Sequence, residues 1–597
     1  MSTTISTDPA QLSKAYVDMA QQSQQMVSEF LKHHAVANLG AADELGIGKA
    51  FFDLTAKMMA DPFRLAEMQW KMWQDYMALW QGSVMKMMGQ NAEPVAEPDP
   101  ADQRFKDEAW QQNFLFDYIK QSYLIAARHL HDAVAKVEGL DEQTTKKVNF
   151  FTRQFIDALS PTNFVLTNPE VLRETVETGG QNLVKGLRNL LEDLERGDHK
   201  QLRIKMTDLD AFKLGGNVAT TKGKVVYQNE LMQLLQYQPT TEKVFQRPLL
   251  IIPPWINKFY ILDLRENNSF IKWAVDQGHT VFVISWVNPD EELAHKNFED
   301  YLLEGTMAAL DAIEKATGEK EINAIGYCLG GTLLAATLGY LVAKQENRIA
   351  SATFFATLID FSEPGELGVF VDEQQVSALE KKMEERGYLE GSEMATTFNL
   401  LRSNDLIWSF VVNNYLLGKD PFPFDLLFWN SDSTRMPAKM HGYYLRNMYI
   451  KNLLKKPGGL TLAGVPIDLT KVKTPAYFLS TVEDHIAPWR TTYAGTKLFA
   501  GPVKFVLGGS GHIAGVINPP VAHKYGYRTN AKLAADADWW LKGAKQNKGS
   551  WWPDWDKWVE KYGGEKVAPR IPGKGKLKAL EDAPGSYVKY RLDANKT

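Results

Sequence analysis

Ile322-Asn323-Ala324-Ile325-Gly326-Tyr327-Cys328-Leu329-Gly330-Gly331-Thr332-Leu333-Leu334-Ala335-Ala336 is the stretch from which the rest of the chain can be ordered. An apolar run short enough for a strand meets a Gly-x-Cys-x-Gly turn and then an apolar run patterned for a helix. This is the pattern of a nucleophile elbow that carries sulfur. The flanking glycines let a strained residue project while the neighbouring backbone packs close. A sulfur at a helix N-terminus is also favoured as thiolate by the helix dipole. Cys328 is the single cysteine of the chain. A cysteine elsewhere in a chain is more often an inert buried side chain, and the glycines argue against that here.

Working outward, five similar runs occupy 248–252, 280–286, 352–359, 476–480 and 503–507, with helical patterning between them, for example over 298–316 and 332–344. Short strands alternating with helices build a parallel sheet covered on both faces, so the expected fold class is α/β. More than about 100 residues separate the fourth of the six runs from the fifth, far beyond the usual short connection, which predicts an inserted cap over about 362–455. Towards the N-terminus, residues from about 10 to 90 read as helices, and Asp61-Pro62 offers an N-cap followed by a first-turn proline. The next helix carries Leu65, Met68, Met72, Tyr76 and Leu79 on one stripe and Trp70, Trp73, Met77, Trp80 and Val84 on another. One stripe can pack internally; the other needs a partner or an apolar surface, unless the whole helix is buried among neighbours. Prolines and acidic residues over 91–100 predict an extended linker, and helical patterning resumes over 105–137 and again around Leu183, Leu187, Leu190, Leu191 and Leu194. The expected domains are an α-helical 1–204 and an α/β 205–597.

A sulfur nucleophile needs a base for its proton and a carboxylate to orient that base. Asp484 follows the run at 476–480, and His512 follows the run at 503–507 within Gly508-Gly509-Ser510-Gly511-His512. The order nucleophile, acid, histidine is that of the α/β-hydrolase fold, where each member sits on a loop at the carboxyl edge of the sheet. Two competitors exist. Asp360 also ends a strand run, one strand early for this arrangement, and His485 adjoins Asp484, where diverging side chains assign it to the loop. The Leu329 N–H supplies one oxyanion-hole donor; Pro253 and Pro254 have no N–H, so the second falls to Ile256 or Trp255. His33-His34 and the pair His129 and His131 lack the spacing that puts two ligands on one helix face, so no metal is expected. Sulfur also favours transfer over hydrolysis: an acyl group moved from a thioester onto cysteine stays activated for attack by an alcohol.

Composition removes other classes. At 597 residues the chain exceeds one core, and with 67 basic against 72 acidic residues it shows no basic stripe for nucleic acid. The first residues, Met1-Ser2-Thr3-Thr4-Ile5-Ser6, lack a basic then apolar targeting pattern, and apolar runs such as 248–252 stop far short of a membrane span. A cytoplasmic protein with no transmembrane segment is expected.

Seven segments carry a family resemblance: Pro253-Pro254-Trp255-Ile256-Asn257 extending to Asp263, the elbow over 326–332, Pro364-Gly365-Glu366-Leu367-Gly368, Phe428-Trp429-Asn430-Ser431-Asp432, Glu483-Asp484-His485-Ile486, the run from Gly511-His512 to Pro520, and Gly549-Ser550-Trp551-Trp552-Pro553. In these, over nearly its whole length, the chain resembles the class I poly(3-hydroxyalkanoate) synthases. The resemblance implies an α/β-hydrolase fold with an inserted cap and an α-helical N-terminal domain. It implies catalysis by Cys328, Asp484 and His512, and polymerisation of short-chain (R)-3-hydroxyacyl-CoA with CoA released and no separate cofactor. It further implies a homodimer at the surface of polyester granules. A depolymerase or thioesterase on the same scaffold is the alternative. Trp429, Trp551, Trp552, Trp555 and Trp558 read as core anchors rather than as polymer contacts.

Overall fold

The apolar runs of the C-terminal half assemble, among the described residues, into one eleven-stranded sheet. The computed structural model describes residues 46–197 and 202–591. The sheet starts with the antiparallel pair β1 (Gly223–Gln228) and β2 (Met232–Tyr237). The six expected runs follow as β3 (Leu249–Ile252), β4 (Val281–Trp286), β5 (Ile322–Tyr327), β6 (Ile349–Phe355), β7 (Ala476–Thr481) and β8 (Val503–Gly508). Three short strands complete it: β9 (Tyr527–Thr529), β10 (Lys545–Asn547) and β11 (Glu581–Asp582). The spatial order is β10-β9-β8-β7-β6-β5-β3-β4-β2-β1-β11. The six central strands run parallel, and antiparallel pairs extend the sheet at both ends. Every residue of β3, β5 and β7 is buried, as expected for strands covered on both faces.

The fourth run was expected at 352–359. It forms three residues earlier, because Ala356 takes a left-handed turn (φ 45) that ends the extended backbone. The flanking antiparallel strands escaped periodicity reading. The outermost ones, β9 to β11, are two or three residues long, too short to show alternation.

Strand order reverses around β3, which lies between β4 and β5 although it precedes both in the chain. At such a switch point the loops leaving adjacent strands part and open a crevice at the carboxyl edge. Ile252 pairs with Gly326, so the loop after β3 and the elbow after β5 begin side by side. The helix Leu329–Ala343 then runs back beneath the sheet. Its sides are apolar all round and nearly all of its residues are buried.

The chain divides into two compact units, one of residues up to Asp208 together with Phe398–Phe422, the other of Leu209–Thr397 with Pro423–Thr597. The stretch expected as a cap is therefore shared: its middle part joins the first unit. There Asn182 Nδ2 donates to the Leu416 carbonyl (2.8 Å) and Tyr415 Oη donates to Asp193 Oδ2 (2.6 Å). The first unit is helical, with Asp61 capping the helix Pro62–Met87 by accepting from the Arg64 N–H (3.1 Å). Leu79 of that helix packs with Ala96 and Ile125, whereas Trp70, Trp73 and Trp80 stay 57%, 52% and 56% exposed. The expected linker is irregular but not free. Gln121 Oε1 accepts from the N–H groups of Val95 (2.7 Å) and Ala96 (3.4 Å), because this apolar pair between prolines finds a place on the helices. The part of the N-terminal helical expectation before residue 46, including His33-His34, lies outside the described residues.

Candidate active site

Cys328 occupies the turn between β5 and the helix Leu329–Ala343 with φ 52 and ψ −119, a region that side-chain-bearing residues rarely enter. The strain is held from both sides: the Cys328 N–H donates to the Phe355 carbonyl and its own carbonyl accepts from Gly331, each at 2.9 Å. Two glycines make the turn possible. A Cβ at Gly326 would stand 2.4 Å from the Gly331 Cα, and one at Gly330 would stand 2.0 Å from the Ile252 carbonyl oxygen. The helix can thus press against the end of β3 and present the thiol at its N-terminus, where a developing negative charge is favoured.

Asp484 and His512 leave the carboxyl ends of β7 and β8, two neighbouring parallel strands. Their loops are tied together by the Glu483 N–H donating to the Ser510 carbonyl (3.0 Å). His512 Nδ1 lies 2.7 Å from Asp484 Oδ2, and both side chains are buried. The other carboxylate oxygen accepts from the N–H groups of Ile486 (2.9 Å) and Ala487 (2.8 Å), which fixes its direction. Burial disfavours a charged imidazole. The negative charges of Asp484 and of the Cys328 sulfur, with hydrogen bonds from His512 to each, outweigh it and hold the His512 pKa well above its ordinary value. The imidazole thus meets the carboxylate directly and feels the charge of the sulfur.

The competitors stand elsewhere. Asp360 binds Lys455 (3.1 Å), Asn452 (2.8 Å) and Ser362 (2.7 Å); its burial is outweighed by these donors, which keep its pKa low. His485 is next to the acid in sequence, but the acid's oxygens serve His512 and the two amides. The N–H groups of Leu329 and Ile256 donate to no backbone carbonyl among the described residues. The carbonyls of Trp255 and Ile256 are held by Thr434 Oγ1 (3.0 and 2.6 Å), and the Trp255 ring is buried among Trp286, Phe298, Tyr301 and Tyr444.

Three tyrosines near the sulfur were not anticipated. Burial first, and then among other charges that of the Cys328 sulfur, push up the pKa of Tyr327, Tyr444 and Tyr449. The Tyr327 ring stacks on His512 at 5.8 Å, and its hydroxyl donates to the His512 carbonyl (3.3 Å). Tyr444 and Tyr449 pack on each other at 5.8 Å and both on Phe361. Five positions apart, they share a face only because Leu445–Ile450 winds as a π-helix, a repeat that 3.6-residue periodicity does not detect. The expected core tryptophans are buried. Trp551 and Trp552 donate to the carbonyls of Gly515 (2.9 Å) and Val516 (3.0 Å), anchoring the loop that carries His512.

Among the described residues no group of His, Cys, Asp and Glu is placed to hold a metal ion, and no helix is long and apolar enough to cross a membrane. Residues 101–274 match the family described as poly-beta-hydroxybutyrate polymerase (PhaC) N-terminus, and residues 248–519 match the alpha/beta hydrolase fold. The chain is 51% identical to a poly(3-hydroxyalkanoate) polymerase of Methylorubrum extorquens, with 93% of this chain and 92% of that one covered. It is 52% identical to a poly(3-hydroxyalkanoate) polymerase subunit PhaC of Rhizobium meliloti (89% and 87% covered) and 44% identical to one of Cupriavidus necator (90% of each). An elbow bearing sulfur, a histidine–aspartate pair on the adjoining loops and similarity over nine-tenths of the length lead to one conclusion: the chain belongs to the poly(3-hydroxyalkanoate) polymerase family, enzymes built on the α/β-hydrolase fold.

Proposed function

We propose that the chain polymerises short-chain (R)-3-hydroxyacyl-CoA, such as 3-hydroxybutyryl-CoA, through an acyl group carried on Cys328. The observation that carries this reading is the buried His512–Asp484 pair, at 2.7 Å, whose imidazole feels the charge of a sulfur held in a strained turn. His512, its pKa raised, already holds the proton of the Cys328 thiol, and the sulfur attacks the thioester carbonyl as thiolate. The N–H groups of Leu329 and Ile256 receive the oxyanion, the bond to CoA breaks, and CoA leaves with the proton returned by His512. The 3-hydroxyl of an acyl unit then attacks the acyl on sulfur, His512 accepts its proton, and an oxygen ester forms as Cys328 is freed. Asp484 keeps the imidazole in the tautomer and direction both steps need. CoA arrives and departs with the substrate, so no separate cofactor enters the scheme.

The same reading places the enzyme in the cytoplasm as a homodimer at the polyester granule surface, towards which the exposed Trp70, Trp73 and Trp80 would turn. Incubation of purified protein with 3-hydroxybutyryl-CoA should release CoA and yield polymer, and Cys328→Ala should lose both while its circular dichroism is unchanged. Polymer made by folded Cys328→Ala would overturn the reading. Stoichiometric free hydroxyacid without polymer would instead select a thioesterase or depolymerase.

A further inference from the structure

Two charged side chains outside the reacting trio are buried without a role in the scheme above. Lys258 and Asp432 are 3% and 1% exposed, and Lys258 Nζ stands 2.6 Å from Asp432 Oδ1. A buried ion pair is a poor device for stability, since removing both ions from water offsets most of their attraction. Its surroundings indicate another use. Lys258 lies two positions beyond Ile256, on the loop that leaves β3. Its ammonium also donates to the carbonyls of Val588 (2.9 Å) and Tyr590 (2.7 Å) in the C-terminal tail, and its own carbonyl accepts from Trp429 Nε1 (2.7 Å). Tyr260 Oη, from the same loop, donates to Asp432 Oδ2 (3.0 Å). Just after Asp432, Thr434 Oγ1 holds the carbonyls of Trp255 and Ile256 (3.0 and 2.6 Å). The peptide unit that carries the Ile256 N–H and the one that follows it are therefore fixed by one polar assembly drawn from three distant parts of the chain.

We infer that Lys258 and Asp432 are positioning residues that aim the Ile256 N–H at the oxyanion of the acyl transfer. The inference rests on the acyl-cysteine reading above. An irregular loop has no ladder to set the direction of its amides, and an oxyanion donor acts only when aimed in advance. Asp432→Asn keeps the shape and removes the charge, and Lys258→Met removes its partner. Each should lower kcat roughly 10²- to 10³-fold, the loss seen when one oxyanion donor is taken away, with KM changed less than about threefold. Alkylation of the Cys328 thiol by iodoacetamide should keep its wild-type rate, because the elbow and His512 are untouched. Should either single variant fold poorly, the double variant Lys258→Met/Asp432→Leu removes both buried charges, leaving Arg591, 3.8 Å from Asp432 Oδ2 and 15% exposed, as the nearest cation, and restores folding; its kcat should remain low, whereas Lys258→Arg, which keeps the ion pair, should recover most of it. A folded Asp432→Asn or double variant with kcat within about threefold of wild type would refute the inference, as would a parallel fall in alkylation rate. These outcomes are separate from failure of the acyl-cysteine reading, which shows itself as polymerisation surviving Cys328→Ala.

Discussion

Trp555 and Trp73 place the same side chain in opposite circumstances. Trp555 is buried in the core under the sheet, donates to Thr353 Oγ1 (3.0 Å) and packs on Phe270, Trp273 and His279. Trp73, on the helix Pro62–Met87, stacks on Trp70 at 5.0 Å and leaves over half its surface open. The sheet unit thus spends its large apolar groups on rigidity, which holds a strained cysteine and a buried imidazole in place. The helical unit keeps some of its own facing outward, where they add little to its stability and remain available to a surface. Hydrophobicity is common to both; the surrounding packing decides what it does.

The largest effect is expected at the rim of the sheet. Asp484→Asn preserves shape but removes the charge that selects the imidazole tautomer, and should lower kcat by roughly 10³- to 10⁴-fold in a CoA-release assay with folding retained. A loss below tenfold would mean that the carboxylate is a structural anchor only. Trp555→Ala tests the rigid side of the contrast. It should lower unfolding stability by about 3–5 kcal/mol in urea titration, through lost burial and an unfilled cavity.

A smaller effect concerns pH. His512 has its folded pKa raised above the ordinary value near 6.5 by Asp484 and the Cys328 sulfur, against the opposing effect of burial. A group shifted in this direction contributes stability that is fully present below the unfolded value and is lost as pH rises through the folded one. The stability difference between wild type and His512→Gln should accordingly be largest below pH 6.5 and shrink in alkali, and a difference that widened there would reverse the sign. Cys328→Ala removes one of the raising charges, so the imidazole titration followed by NMR should move down. The smallest change belongs to the outward face: Trp73→Ser should alter stability by less than about 0.5 kcal/mol, while lowering the fraction of protein that sediments with polyester particles. A Trp73→Ser cost comparable to that of Trp555→Ala would erase the distinction between the two regions.

Legibility followed sequence distance. The elbow was readable because its determinants are contiguous: a strand, a turn that tolerates no Cβ at Gly326 or Gly330, and a helix. The pairing of Asp484 with His512 was readable from their places after successive strands. Tyr444 and Tyr449 were not, since a π-helical turn hides their common face. The linker over 91–100 was readable as irregular chain from its prolines and acids, but its attachment was not: Val95 and Ala96 bind it to the helices.

The sequence by itself determined where the chain must bend sharply, which residue stands at that bend and in what order its partners follow, because steric limits on a short peptide are local. Only the tertiary structure decided that His512 meets Asp484 across 28 positions, that Lys258 reaches the tail 330 positions away, and which tryptophans are covered. Such pairings depend on which surfaces the folded sheet brings together, and no neighbouring residue carries that information.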